Sequence, residues 1–485
     1  MRLLSDNKGM SEANLEPAPG CPQCAKLAEW MVQVQARVAQ LEAEVQHLRG
    51  RLNTNSSNSS LPPSANPPSA PKPTAKPPTG RKPGGQPGHT GSRRARLPAD
   101  RVTHVIPHVP IHCEHCQAPL PAQPGPNDPP ATWWQVAELP GVLAEVTEHQ
   151  GHARTCPECG HVTRAAIPPE VLAHGLGPGL TSLLGFLSSR CHGSKRIIEE
   201  FVETVLKLPI GLGTVANAEQ EIAVALQEPY AQAQAAVQAA PVKNVDETGW
   251  KQAGNRRWLW LAATATVAFF RIAASRGACI VQEMLGDAIC GVVGSDRWSA
   301  YTIVDILKRQ VCWAHLKRDF QKWLDWGGPT RTIGQAGQEA VRKLFEAWGR
   351  FRDGVLDRPG LQAALEPAQE DLHRALEAGL SCGNKKAARF CRNLLAVWPA
   401  LWTFTREDGV EPTNNHAERT LRLAVLWRKC CFGNHSEQGC RFTERILTVV
   451  QTLRLQRREV MDYLHTALLA HRAGHPAPAL VATGV

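Results

Sequence analysis

The stretch APVKNVDETGW, at Ala240–Trp250, marks the point where the sequence changes from a helical to a strand-like pattern. It is followed by RRWLWLAATATVAFFRIAA at Arg256–Ala274, which is rich in β-branched and aromatic residues and predicts a long strand or a hairpin. CIVQEMLG at Cys279–Gly286 is a short helix candidate, and AICGVVGSD at Ala288–Asp296 is an apolar run typical of a buried strand. In this order, the segments predict the opening of a mixed α/β layer.

Two acidic residues occupy notable places in this layer. Asp246 falls inside the first strand, and Asp296 lies at the C-terminal end of the last, where open α/β sheets bind ligands. A buried carboxylate is costly unless it is paired or binds a cation, and a divalent metal relieves the repulsion between two neighbouring carboxylates. Spacing alone does not distinguish Asp246 from Glu247. A helix that begins after Pro412 could supply Glu418 as a third acidic ligand.

Glu418 also has a purely structural interpretation. In EPTNNHAERTLR, at Glu411–Arg422, Asn415 could be a helix N-cap. Glu418 stands three residues later, where its side chain would complete a capping box. The motif taken alone leaves both interpretations open.

Length and charge limit the class of protein. A chain of 485 residues predicts several domains, and a net charge of +10 with a pI near 9.0 favours a polyanionic partner, with nucleic acid ahead of a membrane. The N-terminal residues lack the apolar region of a secretory signal, and the apolar run Leu259–Phe270 is too short to cross a bilayer. We therefore expect a cytoplasmic protein without membrane contact.

The N-terminal part predicts self-association followed by a linker. Apolar residues recur with a seven-residue period, which is typical of a coiled coil that would give a homo-oligomer, at Leu27, Val34, Leu41 and Leu48 and at Met31, Val38, Val45 and Leu52. The next segment is rich in Pro and Ser and has no acidic residue between Glu44 and Asp100, which predicts a basic linker. Its basic residues are candidate DNA contacts, among them Arg81, Lys82, Arg93 and Arg94. A solubilising spacer is the alternative.

Cysteine pairs predict a structural zinc site. CEHC holds Cys113 and Cys116, and CPECG holds Cys156 and Cys159. Two such pairs can close a tetrahedral Zn²⁺ site, and the residues between them alternate as the strands of a ribbon do. A further CxxC pair, Cys21 and Cys24, has no evident second pair, so its role stays open.

Two regions have helical periodicity. Residues 168–240 predict a helix, a turn at Leu208–Gly213 and a second helix that begins near Thr214, a spacing that suits a DNA-binding helix-turn-helix but also any helical hairpin. Between Asp296 and Glu418, two long periodic segments predict an α-helical insertion in the sheet domain.

The motifs VDETGW, GVVGSDRWSAY, QVCWAHLKRDF and PTNNHAERTLR together resemble the transposases of the bacterial insertion sequence 66 family, and the resemblance reaches back through the cysteine pairs and RKPGGQPGH to LNTNSSNSS. It implies a DDE transposase with a ribonuclease H-like catalytic core that binds double-stranded DNA. The acidic triad then maps onto Asp246, Asp296 and Glu418, which would hold Mg²⁺ (or Mn²⁺). This mapping also selects Asp246 over Glu247. Accessory proteins of the same element are implied as partners.

The predicted fold class is multidomain α+β: an N-terminal coiled coil, a zinc ribbon, a helix-turn-helix-like segment and a ribonuclease H-like α/β core interrupted by an α-helical insertion. The predicted divisions are a tail at 1–24, the coiled coil at 25–52, the linker at 53–100, the zinc ribbon at 101–167, the helical DNA-binding segment at 168–240, the catalytic core at 241–320 and 405–455, the insertion at 321–404, and a C-terminal helix and tail at 456–485.

Further side chains are candidates for contacts near the acidic cluster. Basic residues that follow Glu418 could bind phosphates: Arg419, Arg422, Arg428 and Lys429. Residues that could support the acids are His315, Asn415 and His416. Cys312 and His315 have metal-ligand spacing but no evident further ligand, so a core role is expected for Cys312. Trp298 and Trp427 could stack on a base, although burial is the commoner outcome for tryptophan.

Two other classes of function fit parts of the sequence. A DNA-binding regulator derived from a transposase would use the ribbon, the linker and the helix-turn-helix without chemistry. A structure-selective nuclease would hydrolyse DNA without joining strands. The predicted coiled coil argues against a nuclease of this kind, because pairing two DNA ends calls for a multimer.

Overall fold

A computed structural model describes residues 29–42, 45, 96–123, 125–126, 128–129, 135–137, 144–155, 157–159 and 161–481. Several sequence predictions lie outside these residues: the Cys21 and Cys24 pair, Cys156, and the linker residues Arg81, Lys82, Arg93 and Arg94. The chain divides into two compact units. The first contains the described residues from 29 to 45, Ala240–Asp246 and Gly277–Arg419. The second contains the described residues from 96 to 239, Glu247–Arg276 and residues 420–481.

Helix α1 occupies residues 29–42 and carries part of the predicted heptad pattern. Its apolar side chains are exposed, including Trp30, Met31, Val34, Val38 and Leu41. A row of exposed apolar residues along one helix is the arrangement that a coiled-coil partner would cover. Self-association through this helix stays a prediction.

The predicted zinc ribbon contains a short antiparallel hairpin, β1 (Ala153–Thr155) and β2 (Val162–Arg164). At the first cysteine pair the chain forms a tight turn, in which the backbone N–H of Gln117 donates to the Cys113 carbonyl over 2.9 Å. The pKa of Cys113 lies below its usual value, because the backbone N–H groups of Cys116 and then His115 donate to its sulfur. The backbone hydrogen bonds of this turn therefore favour the thiolate form of Cys113. The zinc site itself stays a prediction.

In the continuously described stretch from residue 161 to the sheet there are five α-helices: α2 (Pro169–Ala173), α3 (Pro178–Ser189), α4 (Lys195–Val205), α5 (Leu212–Ala225) and α6 (Gln227–Ala239). Residues of α3, α4 and α5 form one apolar core, with Leu184, Ile198, Val202 and Val215 buried. The segment Pro169–Ser189 is apolar and long enough to cross a membrane by length and composition alone, a test that core helices also pass. Here it comprises α2 and α3.

Helices α4 and α5 are the predicted helix-turn-helix pair, and α5 begins at Leu212 rather than near Thr214. Its acidic side chains are engaged within the second unit, since Glu219 pairs with Lys195 and Glu221 pairs with Arg472. The Lys195–Glu219 contact joins the two helices of the pair, as in a packed helical hairpin. DNA binding by α5 stays a prediction.

Besides the β1–β2 hairpin, the described residues contain a mixed five-stranded sheet, which confirms the α/β layer that the sequence predicts. Its strands are β3 (Val242–Gln252), β4 (Asn255–Ala263), β5 (Ala268–Ala273), β6 (Val292–Ser295) and β7 (Arg309–Val311), and their order is β5-β4-β3-β6-β7. Strands β4 and β5 form the antiparallel hairpin, whereas β6 is parallel to β3 and to β7. Helix α7 (Ala278–Leu285) connects β5 to β6. Sequence analysis did not identify β7.

The remaining helices follow the sheet. Those between β7 and Glu418 are α8 (Trp313–Trp326), α9 (Arg331–Arg352), α10 (Arg358–Gly379), α11 (Lys385–Ala396) and α12 (Trp398–Leu401). They enclose an apolar core with aromatic residues at its centre, among them Trp313, Phe320 and Trp402. The last three helices are α13 (Asn415–Cys431), α14 (Glu437–Leu455) and α15 (Val460–Arg472).

Helix α14 covers the edge of the sheet at β5. The backbone N–H groups of Ala268, Phe270 and Ile272 donate to side-chain oxygens of Thr452, Thr448 and Glu444. Four residues of a helix rise about 6 Å, close to the ~6.7 Å of two residues of a strand, so the side chains meet successive free N–H groups. An edge that would otherwise present unpaired donors is thereby closed.

Glu444 is the buried carboxylate in this contact. It is 0% exposed and lies 3.2 Å from Arg271 and 2.7 Å from Arg441. We expect Glu444→Ala to lower the free energy of unfolding by roughly 3 kcal/mol, because it leaves a buried N–H group and two arginines without their partner. Urea unfolding, with hydrogen exchange of β5 and α14 peptides, measures the change. Glu437→Ala is the matched control, since Glu437 pairs with the same Arg441 but is 64% exposed, and should cost less than about 1 kcal/mol. Equal losses in both variants would contradict this assignment.

Burial raises the pKa of Glu444 to about 7, despite the opposing charge of Arg271. Because the folded-state pKa lies above the unfolded value, the protonated form is favoured by folding, and the associated stability is lost as pH rises from about 4.5 through 7. We expect wild type to lose up to roughly 3 kcal/mol more over this range than Glu444→Gln, which mimics the protonated side chain. Parallel pH profiles of urea unfolding for the two proteins would contradict the raised pKa.

Candidate functional site

The register between β3 and β6 brings two aspartates to the same end of neighbouring strands. Val242 pairs with Val292, Lys243 with Val293 and Asn244 with Gly294. Asp246 on β3 and Asp296, which directly follows β6, each come two residues after the last of these pairs. Both positions agree with the sequence prediction.

Alternation along β3 separates Asp246 from Glu247. Glu247 faces the other side, where its side chain is 2% exposed and its Oε1 accepts hydrogen bonds from Arg276 at 2.6 and 2.8 Å. Its charge is therefore used within the fold. Asp246 is half-buried and shares its face with Asn244. This gives a physical reason to select Asp246, which the spacing of the motif alone could not do.

Asn414 fastens the start of α13 to β3. Its amide nitrogen donates to the Val245 carbonyl over 2.8 Å, and its amide oxygen accepts from Asn244 over 2.9 Å. Asn414 is 1% exposed, so these bonds form away from water. The Glu418 N–H donates to the Asn414 carbonyl at 3.2 Å, which puts Glu418 one helical turn after the anchor. The third acid is thereby held beside the residues that flank Asp246 in sequence.

The capping-box interpretation of Glu418 is wrong in its register. Helix α13 begins at Asn415, so Asn414 precedes it and Asn415 lies in its first turn. The capping box needs Asn415 outside the helix and the Glu418 side chain bonded back to it. Glu418 Oε1 is instead buried without a hydrogen-bond partner.

Gly294 provides the space for this anchor. A Cβ atom at Gly294 would lie 2.4 Å from Nδ2 of Asn244 and 3.7 Å from Oδ1 of Asn414. Any side chain at this position would push Asn244 away from Asn414. Glycine in a buried strand is explained here by the close approach of two amides.

Arg309 holds the backbone around Asp296 through hydrogen bonds. This arginine is 4% exposed, and it donates to the Asp296 carbonyl over 2.8 Å and to the Ser295 hydroxyl over 3.2 Å. One carboxylate oxygen of Asp296 accepts from the Trp298 N–H at 2.8 Å. Burial lowers the pKa of Arg309, and the negative charge of Asp296 opposes that shift. Arg309 thus brings positive charge to the base of an acidic site.

His315 faces Glu418 from the first turn of α8. Its Nδ1 lies 3.6 Å from Glu418 Oε1, and the Sγ of Cys312 belongs to the same cluster. Burial lowers the pKa of His315, and the charge of Arg318 lowers it further. The carboxylates that oppose this shift are those of Glu418, Asp296 and Asp319. His315 thus lies beside Glu418, and the supporting role that the sequence predicts for it stays a prediction.

The remaining predicted site residues have varied surroundings. Asn415 and His416 are half-buried in the first turn of α13, and Arg419, Arg422 and Lys429 are exposed along it. Arg428 donates to Thr248 over 2.9 Å and to the Gly249 carbonyl, so part of its guanidinium is engaged within the fold.

Of the two candidate base-stacking tryptophans, Trp298 is 37% exposed, whereas Trp427 is 5% exposed. The expectation of burial is thus met at Trp427, which has little surface available for a base.

Sequence reasoning missed the amides and the glycine that build this site. Asn244 and Gly294 stand two residues before the predicted acids, and Asn414 stands four before Glu418. Polar residues next to an acid in an apolar strand were the available signal. Their partners lie in other elements, so the sequence alone gave no pairing.

The donor set fits a divalent cation of the Mg²⁺ class in its chemistry, since carboxylate oxygens are the ligands that such ions prefer. The buried, unpartnered Oε1 of Glu418 supports a ligand role. Within the described part of the chain, however, the group of three potential ligands that lies within 4.8 Å is Cys312, His315 and Glu418, not the acidic triad. Two metal ions about 3.5–4 Å apart spread their ligands over a wider area than this distance covers.

Comparison with known proteins places the whole of this site inside one family. The family model described as "Transposase IS66 family" matches residues 192–441, just over half of the chain. A model described as "Family of unknown function (DUF6444)" matches residues 18–95. The "Uncharacterized protein y4qI" of Sinorhizobium fredii (strain NBRC 101917 / NGR234) is 26% identical over 251 residues, which cover 46% of this chain and 45% of that protein. On the match of the first model, the chain belongs to the transposase IS66 family.

Proposed function

We propose that this protein is a DNA transposase that cuts the ends of a mobile element and joins the freed 3′-OH to target DNA. The observation that carries the proposal is the parallel register of β3 and β6, in which Asp246 and Asp296 each follow the Asn244–Gly294 pair by two residues. Glu418 is held near β3 through Asn414. A mixed sheet in the order β5-β4-β3-β6-β7, with an acid on its central strand, supports a ribonuclease H-like core.

In this proposal Asp246, Asp296 and Glu418 hold divalent metal, Mg²⁺ or Mn²⁺, near the C-terminal end of β6. The bound metal would supply Lewis acidity, which activates water or a 3′-OH for attack on a phosphodiester and stabilises the leaving oxygen. Arg309 holds the backbone at Asp296, so that this carboxylate keeps its direction. His315 borders Glu418, with its Nδ1 3.6 Å from Glu418 Oε1.

Positive charge supports DNA as the substrate. The exposed residues Arg419, Arg422 and Lys429 are proposed to bind phosphates on either side of the reacting bond. The linker residues Arg81, Lys82, Arg93 and Arg94 and a Zn²⁺ ribbon at Cys113, Cys116, Cys156 and Cys159 would add contacts. Pairing of two element ends is assigned to a homo-oligomer formed through 25–52, with accessory proteins of the same element as further partners.

Asp296→Asn tests the acidic site. We expect this variant to bind a labelled duplex that carries the element's inverted repeat as wild type does, but to lose Mg²⁺-dependent cleavage and strand joining. The loss should exceed the roughly 10–100-fold that removal of a group supporting a metal ligand costs. Gel assays of cleavage and joining measure it.

Asp287→Asn is the matched control, since Asp287 is exposed and precedes β6 at its opposite end. It undergoes the same chemical change and should keep wild-type cleavage. Binding without cleavage in wild type, with accessory proteins added, would replace the transposase proposal with a DNA-binding regulator. Cleavage without joining would favour a nuclease.

Gly294→Ala tests the anchor of α13. The added methyl group displaces Asn244 from Asn414, so we expect a loss of cleavage of about 10–100-fold in a protein that still folds. Gly249→Ala is the control, because a Cβ there meets only Arg428, at 3.6 Å. Circular dichroism checks folding in both variants. Equal cleavage by the two would show that the Asn244–Asn414 contact does not position Glu418.

A further inference from the structure

The sequence pair Cys312 and His315 gains a third partner in the structure. Cys312 precedes α8 as its N-cap residue, and His315 stands one turn later, so both side chains meet at the start of the helix. Glu418 approaches from the first turn of α13. One potential ligand atom from each of the three residues lies within 4.8 Å of the other two.

Two of these atoms are buried and unpartnered. Nδ1 of His315 and Oε1 of Glu418 are both enclosed without a hydrogen bond, and they face each other at 3.6 Å. That separation is too long for a hydrogen bond. Zn–N and Zn–O bonds of about 2.0–2.2 Å in tetrahedral geometry separate neighbouring ligand atoms by about 3.3–3.6 Å. The spacing of the two atoms suits ligands of one ion.

The surroundings of the Cys312 sulfur are compatible with binding a cation. It is 1% exposed, and the Asn414 N–H donates to it over 3.1 Å. Burial raises the pKa of this thiol, while the N–H groups of Asn414 and His315 act against that shift. A bound cation would offset the effect of burial, because metal binding stabilises a thiolate directly.

We propose that Cys312, His315 and Glu418 form a binding site for a soft divalent transition metal of the Zn²⁺ class. The set of one sulfur, one nitrogen and one oxygen suits Zn²⁺ or Co²⁺, and three protein ligands leave one position open. Mg²⁺ prefers six oxygen ligands in an octahedron, so it does not compete well for this set.

The site shares Glu418 with the acidic triad, and this part of the inference rests on the proposed function. A Zn²⁺ ion held by Cys312 and His315 takes the Glu418 carboxylate away from the metal at Asp246 and Asp296. Zinc bound here therefore inhibits Mg²⁺-dependent DNA cleavage. The site would act as a sensor of free zinc at the edge of the catalytic centre.

Cobalt titration of the full chain, without DNA, tests the site directly. We expect Cys312→Ser to bind one Co²⁺ equivalent fewer than wild type and to lose the matching part of the thiolate-to-cobalt absorption. Cys391→Ser is the matched control, because Cys391 is fully buried in α11 and lies outside the cluster. His315→Gln is a second variant of the same site, included in case Cys312→Ser does not fold. It should also bind one Co²⁺ equivalent fewer than wild type. Unchanged stoichiometry in both Cys312→Ser and His315→Gln would overturn the proposal.

A second measurement tests the link to catalysis. The Zn²⁺ concentration that halves Mg²⁺-dependent cleavage, measured relative to each protein's own rate, should rise at least about tenfold in Cys312→Ser. If this Zn²⁺ concentration were unchanged in Cys312→Ser, the proposed inhibition of cleavage by zinc would be overturned. Whether the metal site exists would still be decided by the cobalt titration. Absence of cleavage in wild type would count against the proposed function, and the binding titration would remain interpretable.

Discussion

The two hydrogen bonds between Asn414 and β3 are the constraint on which the candidate site depends. They join the last turn before α13 to the strand that carries Asp246, and they form in a dry environment, where each bond is strong and its loss is costly. The helices that intervene between β7 and α13 leave and return at adjacent points, because the Trp313 N–H donates to the Pro412 carbonyl over 2.9 Å. Because the two ends of the insertion are hydrogen-bonded to each other, its length does not change the position of Glu418.

This closure explains how a separation that is long in sequence becomes short in space. Cys312 marks the exit from the sheet and Asn414 the return, and the N–H of the second donates to the sulfur of the first. The helical insertion buries an apolar core around Trp313 and Phe320, and Val292 of β6 and Val311 of β7 belong to the same core. The entropic cost of closing a connection grows only slowly with its length, so a long insertion between these two ends is tolerated.

The sequence predicted those parts of the molecule that have a local signal. Period and composition marked the strands around Asp246 and Asp296, the hairpin between them and the helix that carries Glu418. Strand β7 was missed because it has three residues and includes the charged Arg309, which reads as a loop. The Asn244–Asn414 pair, the space above Gly294 and the meeting of Cys312 with Glu418 depend on register and helix placement, and a one-dimensional pattern does not contain them.

The carboxylates of this chain also show how surroundings separate structural from functional roles. Glu247 and Glu444 are buried and each is met by arginine, and Glu444 also accepts a backbone N–H at the edge of β5. Glu444 Oε2 also lacks a hydrogen bond, but the guanidinium of Arg441 lies 2.7 Å from it. Glu418 lies near a helix N-terminus, where the dipole favours negative charge, and the group that faces its buried Oε1 is His315, at 3.6 Å, rather than an arginine. Of these three acids, Glu418 is therefore the one at which we expect a cation to bind.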